Sequence, residues 1–174
     1  MTHPLAPLWE RLAGPADKGP VDFAALHAAS RPNRYLVAPP GLCPDGDADE
    51  EAPAFSVPVD VLREAFRVAA FAEPNAQFVD GGGAQDRYLV RSRLLGFPDR
   101  LVAEFRPLGL PGGFAAAADT ISATPGMAAS RHDASTLAVL SESQLGHSDL
   151  GVNKARVRRI LGRLKARLPV LTGV

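Results

Sequence analysis

The last forty residues constrain this chain most. From Thr136 to Leu145 the sequence TLAVLSESQL is long and apolar enough for a strand. It passes through a polar turn with two glycines, and from Asn153 to about Leu168 the residues Val157, Ile160, Leu161, Leu164 and Leu168 recur at helical spacing. An amphipathic helix directly behind a strand has to lay its apolar stripe on a sheet, so the chain is expected to build helix-on-sheet layers. Asn153 is expected to cap that helix.

A second core helix is expected over Val59 to Ala72. Val61, Leu62, Ala65, Phe66, Ala69 and Ala70 recur near a 3.6-residue period, and Pro74 ends the run. Gln77 to Asp80 is a short strand candidate, followed by a hairpin turn at Gly81, Gly82 and Gly83. That triple glycine lacks the helix and Lys-Ser/Thr pair of a phosphate loop. Arg87 to Leu94 alternates, with Tyr88, Val90, Ser92 and Leu94 on one face and Arg87, Leu89, Arg91 and Arg93 on the other, the mark of a half-buried strand. A turn at Gly96, Phe97, Pro98 and Asp99 then leads to an antiparallel partner over Leu101 to Arg106.

The flanking segments are less regular. Leu5 to Ala13 and Val21 to Ala29 are helical candidates in a peripheral segment over residues 1–30, separated by Gly14, Pro15, Gly19 and Pro20. Arg31 to Pro58 combines six prolines with an acidic run from Asp45 to Glu51, and reads as an extended arm followed by a solvated loop. Leu108 to Asp133 is rich in Gly, Ala, Pro and Ser, and reads as a flexible insertion. The expected fold is therefore α+β and a single domain: a small antiparallel sheet of about four strands with two main helices packed on one face.

Composition narrows the function classes. With 19 basic and 19 acidic residues in 174, no overall field favours nucleic acid or an anionic bilayer. The single cysteine, Cys43, fits a reducing compartment, and the four histidines are scattered, so neither metal nor cofactor is expected. The sequence holds no apolar run long enough to span a bilayer and no leader-like start, which suggests a soluble cytoplasmic protein.

The most informative stretch is Ser141 to Arg156, SESQLGHSDLGVNKAR. A strand runs through a polar turn into a helix N-terminus, with Gly151, Lys154 and Arg156 nearby to receive a phosphate or carboxylate. Alternatively, Ser148, Asp149 and Asn153 satisfy the same donors as caps and turn residues. Glu142 is placed to form a cross-strand ion pair with Arg91 or Arg93 if their strands are neighbours. His147, Ser148 and Asp149 do not make a hydrolase triad, since no Gly-x-Ser-x-Gly elbow is present.

Three blocks, PNRYLVAPPGLCP, RSRLLGFPD and the serine-glycine run ending SDLGVN, resemble the family of domains of unknown function 1499 over about residues 31–164. The resemblance implies a shared fold but no activity, substrate or cofactor. The family pattern reads Ser-Arg-Ser-Arg where this chain has Ser141, Glu142, Ser143 and Gln144, so an anion held by that arginine pair would be bound more weakly here, or the pair is replaced by internal contacts.

Three function classes follow. One is a non-enzymatic module holding a small anionic ligand or protein partner on a polar surface around Arg91, Arg93, Ser141, Ser143, Ser148, Asp149, Asn153 and Arg156. Another is an enzyme using the same cluster, with Asp149 as general base and Arg93 or Arg156 as substrate clamp. The last is a peripheral membrane or nucleic-acid adaptor acting through the basic helix that carries Lys154, Arg156, Arg158, Arg159, Arg163, Lys165 and Arg167.

Overall fold

The computed structural model describes residues 4–26, 33–43, 48–92, 96–108, 134–145 and 149–171. Among them the elements run α1 (Ala6–Ala13), β1 (Arg34–Ala38), β2 (Glu50–Glu51), β3 (Ala54–Phe55), α2 (Val59–Phe71), β4 (Ala76–Asp80), β5 (Gln85–Arg91), β6 (Pro98–Pro107), β7 (Ser135–Ser143) and α3 (Val152–Arg167). The fold is α+β, as expected, but the sheet is larger than four strands. It has seven, ordered β2-β1-β7-β6-β5-β4, with β3 also paired to β7.

The additional strands come from the proline-rich arm. Its first part is β1, which pairs antiparallel with the central strand β7, while β2 adds to β1 in parallel and makes the sheet mixed. Pro39 and Pro40 lie just past β1, and Pro53 lies between β2 and β3. None therefore removes a donor from inside the ladder, which is where proline disrupts a sheet. β6 and β7 pair along nine residues, from Asp99 opposite Ser143 to Pro107 opposite Ser135. Pro98 and Asp99, read from sequence as turn residues, belong to β6.

Both faces of this sheet are covered. On one, Leu62, Phe66 and Ala69 of α2 and Val157, Ile160, Leu161 and Leu164 of α3 pack on Tyr35, Val37, Tyr88, Val90, Leu101, Ala103, Leu137 and Val139. On the other, Val21 and Phe23 pack against Leu36, Ala38, Val102, Ala138 and Leu140. Leu137, Ala138, Val139 and Leu140 are consequently all fully buried, and a strand buried on both faces reads as a continuous apolar run rather than an alternating one. The half-buried reading of β5 is corrected for the same reason, since Leu89 and Arg91 on its second face are buried too.

The N-terminal residues are tied down by polar contacts. Val21 N–H donates to Gln85 Oε1 (3.0 Å) and Gln85 Nε2 returns a bond to the Val21 carbonyl (2.6 Å). Gln144 Nε2 donates to the Ala16 carbonyl, and Arg87 meets the Asp17 carboxylate at 3.1 Å. The helix expected over Val21 to Ala29 does not form in its described part. Asp22 Oδ1 accepts the N–H groups of Ala24 and Ala25, a local side-chain turn that competes with helix. Residues 27–29 lie outside the described part. So do residues 109–133 of the expected insertion, whose base is closed by the Leu108 N–H on the Ala134 carbonyl (2.9 Å). Among the described residues no helix is long and apolar enough to cross a membrane.

Candidate functional site

α3 begins at a strained corner. Leu150 and Gly151 both have positive φ, 53° and 80°, a conformation costly for a leucine and free for a glycine. Asp149 makes the corner stable: its Oδ1 accepts the Gly151 N–H (3.1 Å) and its Oδ2 the Asn153 N–H (2.7 Å). The negative group at the helix N-terminus is thus supplied by the chain itself. Asn153, expected as the cap, lies two residues too deep; Gly151 holds the cap position.

The Asn153 side chain, itself fully buried, instead enters a largely buried polar cluster. Its Oδ1 accepts from Ser141 Oγ (2.7 Å) and from an Arg156 guanidinium nitrogen (2.6 Å). Its Nδ2 donates to Ser143 Oγ (3.1 Å) and to the Asn33 carbonyl (3.0 Å). Arg156 also donates to Ser141 Oγ (2.8 Å) and, through its other terminal nitrogen, to Asp99 Oδ2 (2.7 Å). Asn33 closes the ring, its Nδ2 donating to the Ser143 carbonyl at 3.0 Å. Arg156 and Asp99 are only 4% and 6% exposed, so this guanidinium is committed to the fold rather than offered to a substrate.

Four of the eight residues predicted from sequence, Ser141, Ser143, Asn153 and Arg156, therefore meet, with Asp149 beside them. Arg91 does not join them. It lies on the opposite face of the sheet, where it donates to the Gly96 carbonyl (3.3 Å) and faces Glu10 of α1 at 3.7 Å. Arg93 and Ser148 lie outside the described residues. The sequence reading missed Asp99 and Asn33. Asp99 had a usable signal: two residues before Leu101 and four before Ala103, it shares their helix-facing side of β6 once the strand is started at Pro98.

The expected pairing of Glu142 with Arg91 is also corrected, while its alternative partner Arg93 lies outside the described residues. β6 separates β5 from β7, and Glu142 lies directly across from Arg100, with an ion pair of 2.9 Å. Glu142 and Gln144, the two departures from the arginine pattern, are thus both engaged inside the chain. Together with Lys18, Asn33, Arg100 and Ser143 they line an open cavity of about 330 Å³ on the N-terminal face of the sheet. Two cationic side chains face one carboxylate there. Two neighbouring clefts of about 280 and 300 Å³ beside Pro39 and Pro40 carry Glu51 as their charged group, which disfavours an anion.

The basic residues of α3 are largely consumed. Arg159 and Arg163 both bind Glu73, which is 1% exposed, and Arg158 binds Glu50 at 3.1 Å. Burial would raise the Glu73 carboxyl, but the two guanidiniums outweigh it and hold it below its ordinary value. Glu50 is likewise held low, chiefly by the Tyr35 hydroxyl donated to it at 2.7 Å, against burial and with help from Arg158. Lys154 and Arg158 stand over the Tyr35 ring, 5.7 and 6.0 Å from its centroid.

The described residues bring together no group of three or more His, Cys, Asp or Glu able to hold a metal ion. The chain matches no family model, no curated protein and no solved structure.

Proposed function

We propose that this chain is a non-enzymatic binding module that holds a small anionic ligand in the cavity lined by Lys18, Asn33, Arg100, Glu142, Ser143 and Gln144. The observation that carries this reading is the cavity's charge and size. Its lining has one more cation than anion, and its volume lies at the small end of ligand sites. Arg100 presents a planar guanidinium 21% exposed beside a Glu142 that occupies part of it, an arrangement suited to a carboxylate or phosphate.

The enzyme and adaptor alternatives have less support, although Arg93, the other clamp of the enzyme reading, lies outside the described residues. Asp149, assigned as general base, accepts two backbone N–H groups, and Arg156, assigned as clamp, is enclosed with Asp99. The basic helix, assigned to nucleic acid or membrane, has Arg156, Arg158, Arg159 and Arg163 paired with acids of the same chain. Kinship with the domains of unknown function 1499 is part of the proposal and supplies no ligand. A cytoplasmic location also belongs to it and rests on a single cysteine.

Native mass spectrometry of gently purified protein tests the reading. A reproducible adduct, lost on Arg100→Ala but kept on Arg91→Ala, supports the cavity. An adduct that survives Arg100→Ala moves the ligand elsewhere.

A further inference from the structure

The cavity proposed for an anion also contains an acid. Glu142 stands directly across the ladder from Arg100 and is bound to it at 2.9 Å, and both side chains keep part of their surface exposed, 16% and 21%. A carboxylate in the wall works against a simple anion, because like charges brought together repel. An acid and a guanidinium side by side match a molecule that carries an ammonium next to a carboxylate.

The rest of the wall extends the match. Lys18 supplies a second cation and Gln144 a neutral amide. Gln144 Nε2 is committed to the Ala16 carbonyl, and its Oε1 is buried without a hydrogen-bond partner. Being covered, that oxygen does not touch a ligand, but an uncompensated acceptor in the wall adds to the negative potential set up by Glu142. Of the other charges nearby, Asp17 is bound to Arg87 at 3.1 Å, and Arg34 is the ladder partner of Glu142 on β1. Among the described residues the lining itself therefore has two positive groups, Lys18 and Arg100, and one negative, Glu142.

We infer that the ligand of this cavity is an amino dicarboxylate, a small acid with two carboxylates and one ammonium. This rests on the anion reading and narrows it to one chemical class. The ligand's charges are the inverse of the wall's. Its α-carboxylate and α-ammonium share one carbon, so they reach neighbouring partners. The carboxylate meets the Arg100 guanidinium, whose one hydrogen bond among the described residues runs from a terminal nitrogen to Glu142, which leaves further N–H donors on the same fork. The ammonium meets Glu142, since a carboxylate accepts several donors at once. The second carboxylate goes to Lys18, whose ammonium is a point charge on a flexible stem. A dicarboxylate without the ammonium enters the same cavity more weakly, because it brings no donor to Glu142.

Dissociation constants for L-aspartate, succinate and L-alanine, read from amide nuclear magnetic resonance titrations of the full chain at pH 7, are the test. Succinate is aspartate without the ammonium, and alanine is aspartate without the second carboxylate. Aspartate is expected to bind at least about tenfold more tightly than either. In Glu142→Gln, checked by circular dichroism, the advantage over succinate is expected to vanish while succinate is still bound. Succinate binding the parent chain as tightly as aspartate, alanine doing so, or an aspartate preference that persists in Glu142→Gln overturns the inference and leaves the anion site standing. Binding of none of these compounds overturns both.

Discussion

Arg156 and Asp99 meet at 2.7 Å in a place where both are more than nine-tenths buried. They join the start of α3 to the start of β6. Around them Ser141, Asn153, Ser143 and Asn33 satisfy further donors and acceptors, so the helix is fixed on the sheet by a polar plug at one end and by Val157, Ile160, Leu161 and Leu164 along the rest. Breaking a buried pair by removing one partner leaves an uncompensated charge and costs about 3–5 kcal/mol. Arg156→Met and Asp99→Leu are each expected to lower stability by about that amount in urea titration, while the double variant recovers a large part. Full additivity would show that the two residues do not act as a pair.

The α3 corner makes a smaller, separable contribution. Asp149→Ala removes the acceptor of two N–H groups and should cost about 1 kcal/mol, within the range for lost helix caps. Gly151→Ala should cost roughly 1–2 kcal/mol, because its φ of +80° suits glycine although nothing lies within 4 Å of an added Cβ. If thermal unfolding shows Gly151→Ala to be neutral, the left-handed geometry there is not required by the fold.

Two buried carboxylates set the response to acid. Asp86, fully buried, is bound by Arg63 at 2.7 Å and Arg67 at 2.8 Å. Burial pushes its carboxyl up, but Arg67 and Arg63 overcome this and hold it below the ordinary 3.8, as Arg159 and Arg163 hold Glu73 below 4.5. Because these values are depressed on folding, the stability they contribute is present above the ordinary values and is lost as pH falls through the lower folded ones. Denaturant titrations at pH 5 and pH 3 should show a steep loss for the parent chain and a flatter one for Asp86→Asn and Glu73→Gln. Equal slopes would remove these carboxylates from the account.

The hairpin of β4 and β5, both core helices and the pairing of β5 with β6 were legible in the sequence, because each is written in local periodicity. The rest depends on where distant segments land. β1, β2 and β3 were hidden by prolines that fall between strands rather than in them. The second layer on the sheet was hidden because Val21 and Phe23 carry no period of their own. Strand order decided the remainder: Glu142 meets Arg100 and not Arg91 only because β6 lies between their strands. Of the expected site, the described residues of one continuous stretch assemble, and Arg91, correctly placed on the other face by alternation, is divided from them by the sheet itself.

The exposed arm of the cavity gives a prediction in the other direction. Arg100 and Glu142 are 21% and 16% exposed, and partly solvated pairs are worth about 0–1 kcal/mol. Arg100→Ala should therefore leave the unfolding midpoint nearly unchanged while removing the cavity's guanidinium. A loss of several kcal/mol would mark Arg100 as structural and would leave the ligand reading without its main residue.

Amide nuclear magnetic resonance titration with succinate and with inorganic phosphate tests the central claim most directly, since it reports where an anion binds. The predicted result is saturable shifts clustered on Lys18, Asn33, Arg100, Ser143 and Gln144 and abolished by Arg100→Ala, with Glu10 and Arg91 unmoved. Shifts centred on Glu10 and Arg91, or none with either anion, would contradict a small-anion site in this cavity.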